Sequence, residues 1–142
     1  MLPVVKNLIE GDKGRIKRII YAAKRATERE DIFKCISFVS MDYADKYGND
    51  RRSLFAIGQN FFDAYDNIVI GIRQLEISLD TDSAEVNIEA TIVARNAQKR
   101  ETNIFETETA KFLASFQKEE GGWKVIRLEF LDSERVLWPG VS

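Results

Sequence analysis

The feature of this sequence that most constrains its fold is a change in hydrophobic period about halfway along the chain. Up to residue 65 the apolar residues recur at intervals of three and four, and from residue 67 onward they alternate with polar ones. Intervals of three and four are typical of an amphipathic helix, whereas alternation is typical of a strand with one buried face. Helices that precede strands, rather than alternating with them, predict an α+β domain with an antiparallel sheet.

Three helices are predicted in the first half, over residues 15–29, 32–39 and 51–65. Gly11 and Gly14 are expected to mark a loop before the first helix. Asp31 is expected to cap the second helix, and Asn49 or Asp50 the third, because these side chains accept hydrogen bonds from the free N–H groups of a first turn.

Four strands are predicted in the second half, over residues 68–79, 84–95, 102–118 and 123–131. In the first of these, the apolar residues change parity between Ile72 and Leu75. A strand cannot exchange its buried face without an extra residue, so a β-bulge or sharp bend is expected near Arg73–Gln74.

The last hairpin has a register that its side chains predict. A three-residue loop, Glu120 to Gly122, keeps one face apolar by pairing Phe116 with Ile126, Ala114 with Leu128, and Phe112 with Phe130. In this register Val125 lies on the other face of the sheet. That face also carries Val93 and Leu113 among polar residues, a composition that suits a moderately polar symmetric interface, so we expect a homodimer through the exposed sheet face.

The composition limits the chemistry, because none of the 142 residues is histidine. This removes the commonest general base near neutral pH and the usual zinc ligands, so we expect no metal and no cofactor. Acidic residues exceed basic ones by two, which favours neither nucleic acid nor an anionic membrane as a partner. The single cysteine, Cys35, lies in an apolar stretch and is interpreted as a small buried side chain.

The chain is expected to form one domain over residues 1–142, with a lead-in over 1–13 and a tail over 132–142. No apolar run approaches the roughly 20 residues that span a bilayer, and the first residues lack the apolar core of a signal peptide. We therefore expect a cytoplasmic protein, or an exported one if a native leader precedes this sequence.

Three segments, in this order, resemble the nuclear transport factor two-like superfamily, also called SnoaL-like. They are "REDIFKCISFVSMDYADKYG", "FFDAYDNIVI" and "EEGGWKVIRLEF". The resemblance covers nearly the whole chain, from Ile16 to about Leu131, and implies a cystatin-like cone in which about three helices pack on the concave face of a strongly bent antiparallel sheet of about four strands. The superfamily includes isomerases, dehydratases, cyclases and transport adaptors, so the fold does not deliver a function. The absence of histidine separates this chain from the histidine-using dehydratases and cyclases.

The stretch "MDYADKYGND", residues 41–50, provides the first candidate catalytic side chains: Asp42, Tyr43 and Tyr47. They could act in a proton transfer that needs a carboxylate base and a neutral donor in a dry pocket. We favour a polar loop between helices, because Asp and Asn satisfy backbone donors at turns and Gly48 permits a positive φ.

Glu108 and Asp132 are the other candidate catalytic residues. Both share the apolar face of the last hairpin, where a carboxylate either lies beyond the helices in water or lines a cavity. We expect the ligand pocket itself to be lined by apolar residues of the same cone: Phe61, Phe112, Phe116, Leu128 and Phe130.

Three functions remain open. We favour a pocket domain that binds a small apolar or amphipathic molecule. The first alternative is a histidine-free and metal-free isomerase, dehydratase or cyclase that uses Asp, Glu and Tyr. The second is an adaptor that binds another protein through the sheet face. Convergent titratable groups in a cavity would favour the enzyme, and a purely apolar cavity would favour binding.

Overall fold

The computed structural model describes residues 2–97 and 105–131, with side chains from residue 11 onward, as three helices followed by four strands. The elements are α1 (Leu2–Glu28), α2 (Ile32–Ser37), α3 (Arg51–Ala64), β1 (Tyr65–Leu79), β2 (Ser83–Asn96), β3 (Phe105–Glu119) and β4 (Gly122–Phe130). The strands form one antiparallel sheet in the order β1-β2-β3-β4. The predicted α+β order is confirmed. Residues 132–142, the predicted tail, lie outside the described residues.

Helix α1 begins at Leu2 rather than at residue 15, so the loop expected at Gly11 and Gly14 is wrong. Gly11 and Gly14 lie inside the helix, although each glycine costs about 1 kcal/mol relative to alanine. The turn that contains them is held by Asp12, whose carboxylate accepts hydrogen bonds from Trp123 Nε1 at 3.2 Å and Lys118 Nζ at 3.3 Å. These contacts come from distant strands, and the local sequence does not reveal them.

The caps of the two shorter helices are confirmed. The Asp31 side chain accepts a hydrogen bond from Lys34 N at 3.1 Å, and that of Asp50 from Ser53 N at 2.9 Å. Helix α2 nevertheless ends two residues before the predicted position, because the Phe38 carbonyl accepts a hydrogen bond from Val125 N of β4 at 2.9 Å. The chain leaves the helix in order to pair with the sheet.

The helices cover one face of the sheet, which we call the inner face. Ile16 and Ile20 of α1 are buried there against a row of alternating strand residues. The buried members of this core are Ile16, Ile20, Ala84, Val86, Ile88, Ala90, Ala114, Phe116 and Trp123. A smaller cluster of Tyr43, Leu54 and Ile57 joins α3 to β4.

The predicted bulge in β1 is confirmed. Its register against β2 shifts between Ile72 and Gln74, so that Arg73 is the extra residue. A second irregularity lies between Asp66 and Val69, where Asn67 has a φ of 49°. Strand β1 therefore begins immediately after α3, and its register against β2 shifts at two places.

The predicted register of the last hairpin is confirmed for the residues distant from the turn, but it is wrong for the residues next to the turn. Ala114 pairs with Leu128 and Phe112 with Phe130 as predicted, but Phe116 pairs with Val125 instead of Ile126. The loop has two residues, Glu120 and Gly121, rather than three, and Gly122 follows with a φ of +113°.

Ile126 is the extra residue of a bulge that restores the predicted pairing. Val125 therefore packs in the core on the inner face and is not part of the outer face. The shorter loop shifts the register by one residue, and the bulge shifts it back. The predicted register is therefore wrong only between the turn and the bulge.

Candidate functional site

The stretch 41–50 lies along the free edge of β4. Leu128 N donates a hydrogen bond to the Tyr43 hydroxyl at 3.1 Å, and Phe130 N donates one to the Tyr47 hydroxyl at 2.9 Å. Just before this stretch, Ser40 N donates to the Val125 carbonyl at 2.9 Å. Because an edge strand exposes a row of unpaired N–H and C=O groups, the segment satisfies groups that would otherwise face solvent or a neighbouring chain.

Asp45 holds this loop together. Its carboxylate accepts hydrogen bonds from the Tyr43 hydroxyl at 2.7 Å, Tyr47 N at 2.9 Å and Asn49 N at 3.0 Å. Burial raises the pKa of Tyr43, and the bond to Asp45 raises it further, so the phenol stays protonated. Asp42 is exposed. Both tyrosine hydroxyls are thus used to hold β4, in agreement with the interpretation of a structural loop.

A cluster of polar side chains lies on the inner face, at the end of the sheet where β3 begins. The strand register places Glu106 and Glu108 beside Ala94 and Ile92 of β2, and Tyr65 beside Asn96. Asn96 Nδ2 donates to Glu106 Oε2 at 3.4 Å, and Tyr65 is hydrogen-bonded to the same carboxylate. We call Tyr65, Asn96, Glu106 and Glu108 the inner-face cluster.

The electrostatics of the cluster keep its phenol neutral. Burial raises the pKa of Tyr65, and the negative charge of Glu106, the hydrogen bond to it and the charge of Glu108 act in the same direction. Both glutamates are half-buried. The Tyr65 ring lies 5.3 Å from the ring of Phe61, centroid to centroid, so the polar cluster adjoins an aromatic surface of α3.

The predicted pocket residues occupy three places. Phe112 and Phe130 are half-buried with ring centroids 5.9 Å apart, and Leu128 lies beside them. Phe61 is at the end of α3, next to Tyr65. Phe116 is only 2% exposed and is part of the core beneath α1.

Among the predicted catalytic residues that the structure describes, Glu108 is the one that lies with a cluster of titratable groups on the inner face, two positions along β3 from Ala110 and four from Phe112. Asp132, its predicted companion, lies outside the described residues.

The sequence interpretation did not select Tyr65 or Asn96. The helical periodicity places Tyr65 at the end of the third predicted helix, and the bulge between Asp66 and Val69 breaks the alternation that would place its side chain on a face of the sheet. The one indication in the sequence is that Tyr65, which is both aromatic and polar, lies next to the change of hydrophobic period. Unless the position of the bulge is known, this indication does not determine which face of the sheet the Tyr65 side chain occupies.

Two further grooves flank α1, with volumes of about 350 and 410 Å³. Within residues 11–97 and 105–131, no three Asp, Glu or Cys side chains are grouped so that they could hold a metal ion. No helix in the described part of the chain is long and apolar enough to cross a membrane.

No sequence profile of a protein family matches the chain, and no curated protein sequence matches it. Solved structures do match its fold. A structure from Novosphingobium aromaticivorans, provisionally assigned as a scytalone dehydratase, has a TM-score of 0.78 at 14% identity over 92% of this chain and 88% of the other.

A nuclear transport factor 2-like superfamily protein from Salmonella enterica has a TM-score of 0.77 at 9% identity, over 89% of this chain and 94% of the other. A structure from Bdellovibrio bacteriovorus has a TM-score of 0.70 at 18% identity. The match covers 84% of this chain but only 41% of the Bdellovibrio chain. The chain therefore has the nuclear transport factor 2-like, cystatin-like fold that its sequence resembles. These identities establish the fold alone.

Proposed function

We propose that this protein binds a small amphipathic molecule on the inner face of its sheet. The apolar part of the ligand would lie against Phe112 and Phe130, and its polar group would meet Tyr65 and the carboxylates of Glu106 and Glu108. The observation that carries this proposal is the inner-face cluster itself. The cluster brings a phenol whose pKa is raised together with two half-buried carboxylates on an otherwise apolar face, and such a combination marks a candidate functional site.

The cluster favours a ligand that donates a hydrogen bond. An ionised carboxylate accepts hydrogen bonds and donates none, so Glu106 and Glu108 together offer more acceptors than donors. The protonated phenol of Tyr65 adds one donor, which is already directed at Glu106. A phenol or alcohol on an apolar skeleton matches this pattern.

The test uses 2-naphthol, with naphthalene as the matched probe that lacks the hydroxyl. In amide NMR spectra of the full chain, 2-naphthol should shift the signals of Tyr65, Glu108, Phe112 and Phe130, and Glu108→Gln should weaken its binding. Glu89→Gln is the control, because Glu89 lies on the opposite face of the same sheet. Equal binding of both probes, or shifts confined to other regions, would refute the proposal.

A second candidate function is acid–base catalysis. The specific observation in its favour is that a neutral phenol and two carboxylates converge, with the pKa of Tyr65 raised. In such a site the Tyr65 hydroxyl would turn from Glu106 and donate its hydrogen bond to a substrate carbonyl oxygen, while Glu108 takes a proton from the carbon next to that carbonyl. Two solved structures of this fold are provisionally assigned as dehydratases, which is consistent with such chemistry, although those assignments belong to other proteins.

Deuterium exchange at the carbons next to the carbonyl of cyclohexanone tests this candidate. Enzyme-dependent exchange that both Tyr65→Phe and Glu108→Gln abolish would support catalysis. Exchange no faster than in buffer, together with retained 2-naphthol binding, would leave the binding proposal standing alone.

We also propose that the protein forms a homodimer through the outer face of the sheet. That face carries Val69, which is 60% exposed, and Phe105, which is 48% exposed, with Val93 and Leu113 half-buried between polar residues. Exposed apolar side chains grouped on one sheet face mark interaction surfaces.

A further inference from the structure

One of the two grooves lies where α1 crosses the edge strand β1. It has a volume of about 350 Å³ and shares no residue with the inner-face cluster. Its lining comes from two elements: Lys13, Lys17 and Tyr21 of α1, and Ile72, Arg73, Gln74, Leu75 and Ile77 of β1. We call it the α1–β1 groove.

The charge of this groove is uniform. Three of its residues, Lys13, Lys17 and Arg73, are cationic, and none of the residues that line it is acidic. None of these three cations pairs with a carboxylate of a described residue. Elsewhere on α1, by contrast, Arg15 pairs with Asp12 at 2.8 Å and Lys24 with Glu28 at 3.2 Å.

The second groove beside α1 also has three cationic lining residues, Arg15, Arg18 and Lys124. There, however, Arg15 is paired with Asp12, and Lys124 Nζ donates a hydrogen bond to the Ser37 carbonyl at 2.8 Å. Among the described residues, the α1–β1 groove therefore keeps more positive charge without a partner than the second groove does.

The β1 bulge builds one wall of the groove. In a regular strand, successive side chains point to opposite faces, so only every second residue could line a groove on one side. Here four consecutive residues, Ile72 to Leu75, line it, and the register shift falls between Ile72 and Gln74. The extra residue, Arg73, therefore lines the same groove as Ile72 and Leu75. Bulges commonly redirect a side chain in this way beside functional sites.

We propose that the α1–β1 groove binds a small amphipathic anion, either a carboxylate or a phosphate monoester. The anionic group lies among Lys13, Lys17 and Arg73, and the apolar part lies on Ile72, Leu75 and Ile77. The planar guanidinium matches carboxylate and phosphate oxygens in a bidentate geometry, and the two ammonium groups add charge without a fixed direction. Tyr21, which also lines the groove, provides a further hydroxyl donor.

The groove favours a small ligand over a polyanion. It is concave, its cations occupy one patch, and three aliphatic side chains form part of its wall, which a nucleic acid backbone or a flat lipid headgroup layer would not use. A net acidic chain also repels polyanions at long range.

The test compares octyl phosphate, octanoate and the neutral 1-octanol by amide NMR titration of the full chain. At least one of the two anions should shift the signals of Lys17, Tyr21 and Ile72 in a saturable manner, and which of them binds more tightly identifies the headgroup. 1-Octanol should leave these signals unchanged. Because a hydrogen bond to a charged group is lost, Arg73→Gln should weaken anion binding about tenfold. Added salt should weaken it further.

Arg25→Gln is the matched control, since Arg25 is an exposed cation of the same helix that does not line the groove. It should change the affinity less than about twofold, as surface charges at a distance are screened. Lys17→Gln repeats the test on the other wall if Arg73→Gln does not fold. Shifts confined to Glu108 and Phe112 would overturn the proposal, as would equal binding of 1-octanol. So would binding to anionic phospholipid vesicles that Arg25→Gln and Arg73→Gln reduce equally, which would assign the charge to a surface.

Discussion

At the scale of single residues, Asp12 shows how one buried carboxylate joins distant parts of the chain. It accepts hydrogen bonds from Arg15 on its own helix and from Lys118 and Trp123 on the last hairpin. Burial alone would raise the pKa of Asp12, but the three hydrogen bonds outweigh burial and lower it. The charged form is therefore favoured by folding, and Asp12 stabilises the packing of α1 on the end of the sheet.

Asp12→Asn should lower the free energy of unfolding by about 1–3 kcal/mol near neutral pH, because hydrogen bonds to a charged group are lost. The folded pKa lies below the unfolded one, so the contribution is full above the unfolded pKa and is lost as pH falls through the folded pKa. Urea unfolding between about pH 5 and pH 3 should thus show a smaller loss of stability in the variant than in the wild type. Asp42→Asn, at an exposed site, should match the wild type; an equal effect there would remove the special role of Asp12.

At the scale of elements, the loop over residues 41–50 acts as an edge cover for β4. The hydroxyls of Tyr43 and Tyr47, four residues apart in this loop, accept hydrogen bonds from alternate N–H groups of β4. The two positions differ in exposure: Tyr43 is 2% exposed, whereas Tyr47 is half-buried. Water can replace the hydroxyl at Tyr47 and cannot reach Leu128 N as easily at Tyr43.

Tyr43→Phe should therefore destabilise the protein by about 1–3 kcal/mol, since it leaves a buried N–H without a partner. Tyr47→Phe should cost less than about 1 kcal/mol, because solvent takes over the bond. Urea unfolding measures both, and amide hydrogen exchange at Leu128 should accelerate in Tyr43→Phe alone. Equal costs for the two variants would contradict the proposed difference in solvent access.

At the scale of the whole molecule, the sheet has two unlike faces. The inner face is covered by helices, and the outer face carries exposed apolar side chains among polar ones. A two-fold interface through the outer face would bury the same apolar residues in both copies of the chain.

Val93→Lys should convert the proposed dimer to a monomer, because the symmetry places two unpaired charges in the interface. Light scattering after size-exclusion chromatography of the full chain over a dilution series measures the mass. Thr81→Lys, in the exposed turn between β1 and β2, should leave the mass unchanged. A wild-type protein that is monomeric at every concentration would end the dimer proposal.

The order of elements, the caps at Asp31 and Asp50, and the bulge at Arg73 could all be predicted from the sequence, because each depends on residues within a few positions of one another. The start of α1, the turn at Gly122, and the cluster around Tyr65 could not. Asp12 is held by side chains more than a hundred positions away in sequence, and Tyr65 meets Glu106 only when β1, β2 and β3 align. Local periodicity determined which face each strand buries. Only the tertiary structure decided which polar groups meet on that face, because strand register and bulges are set by packing between segments that the sequence does not place side by side.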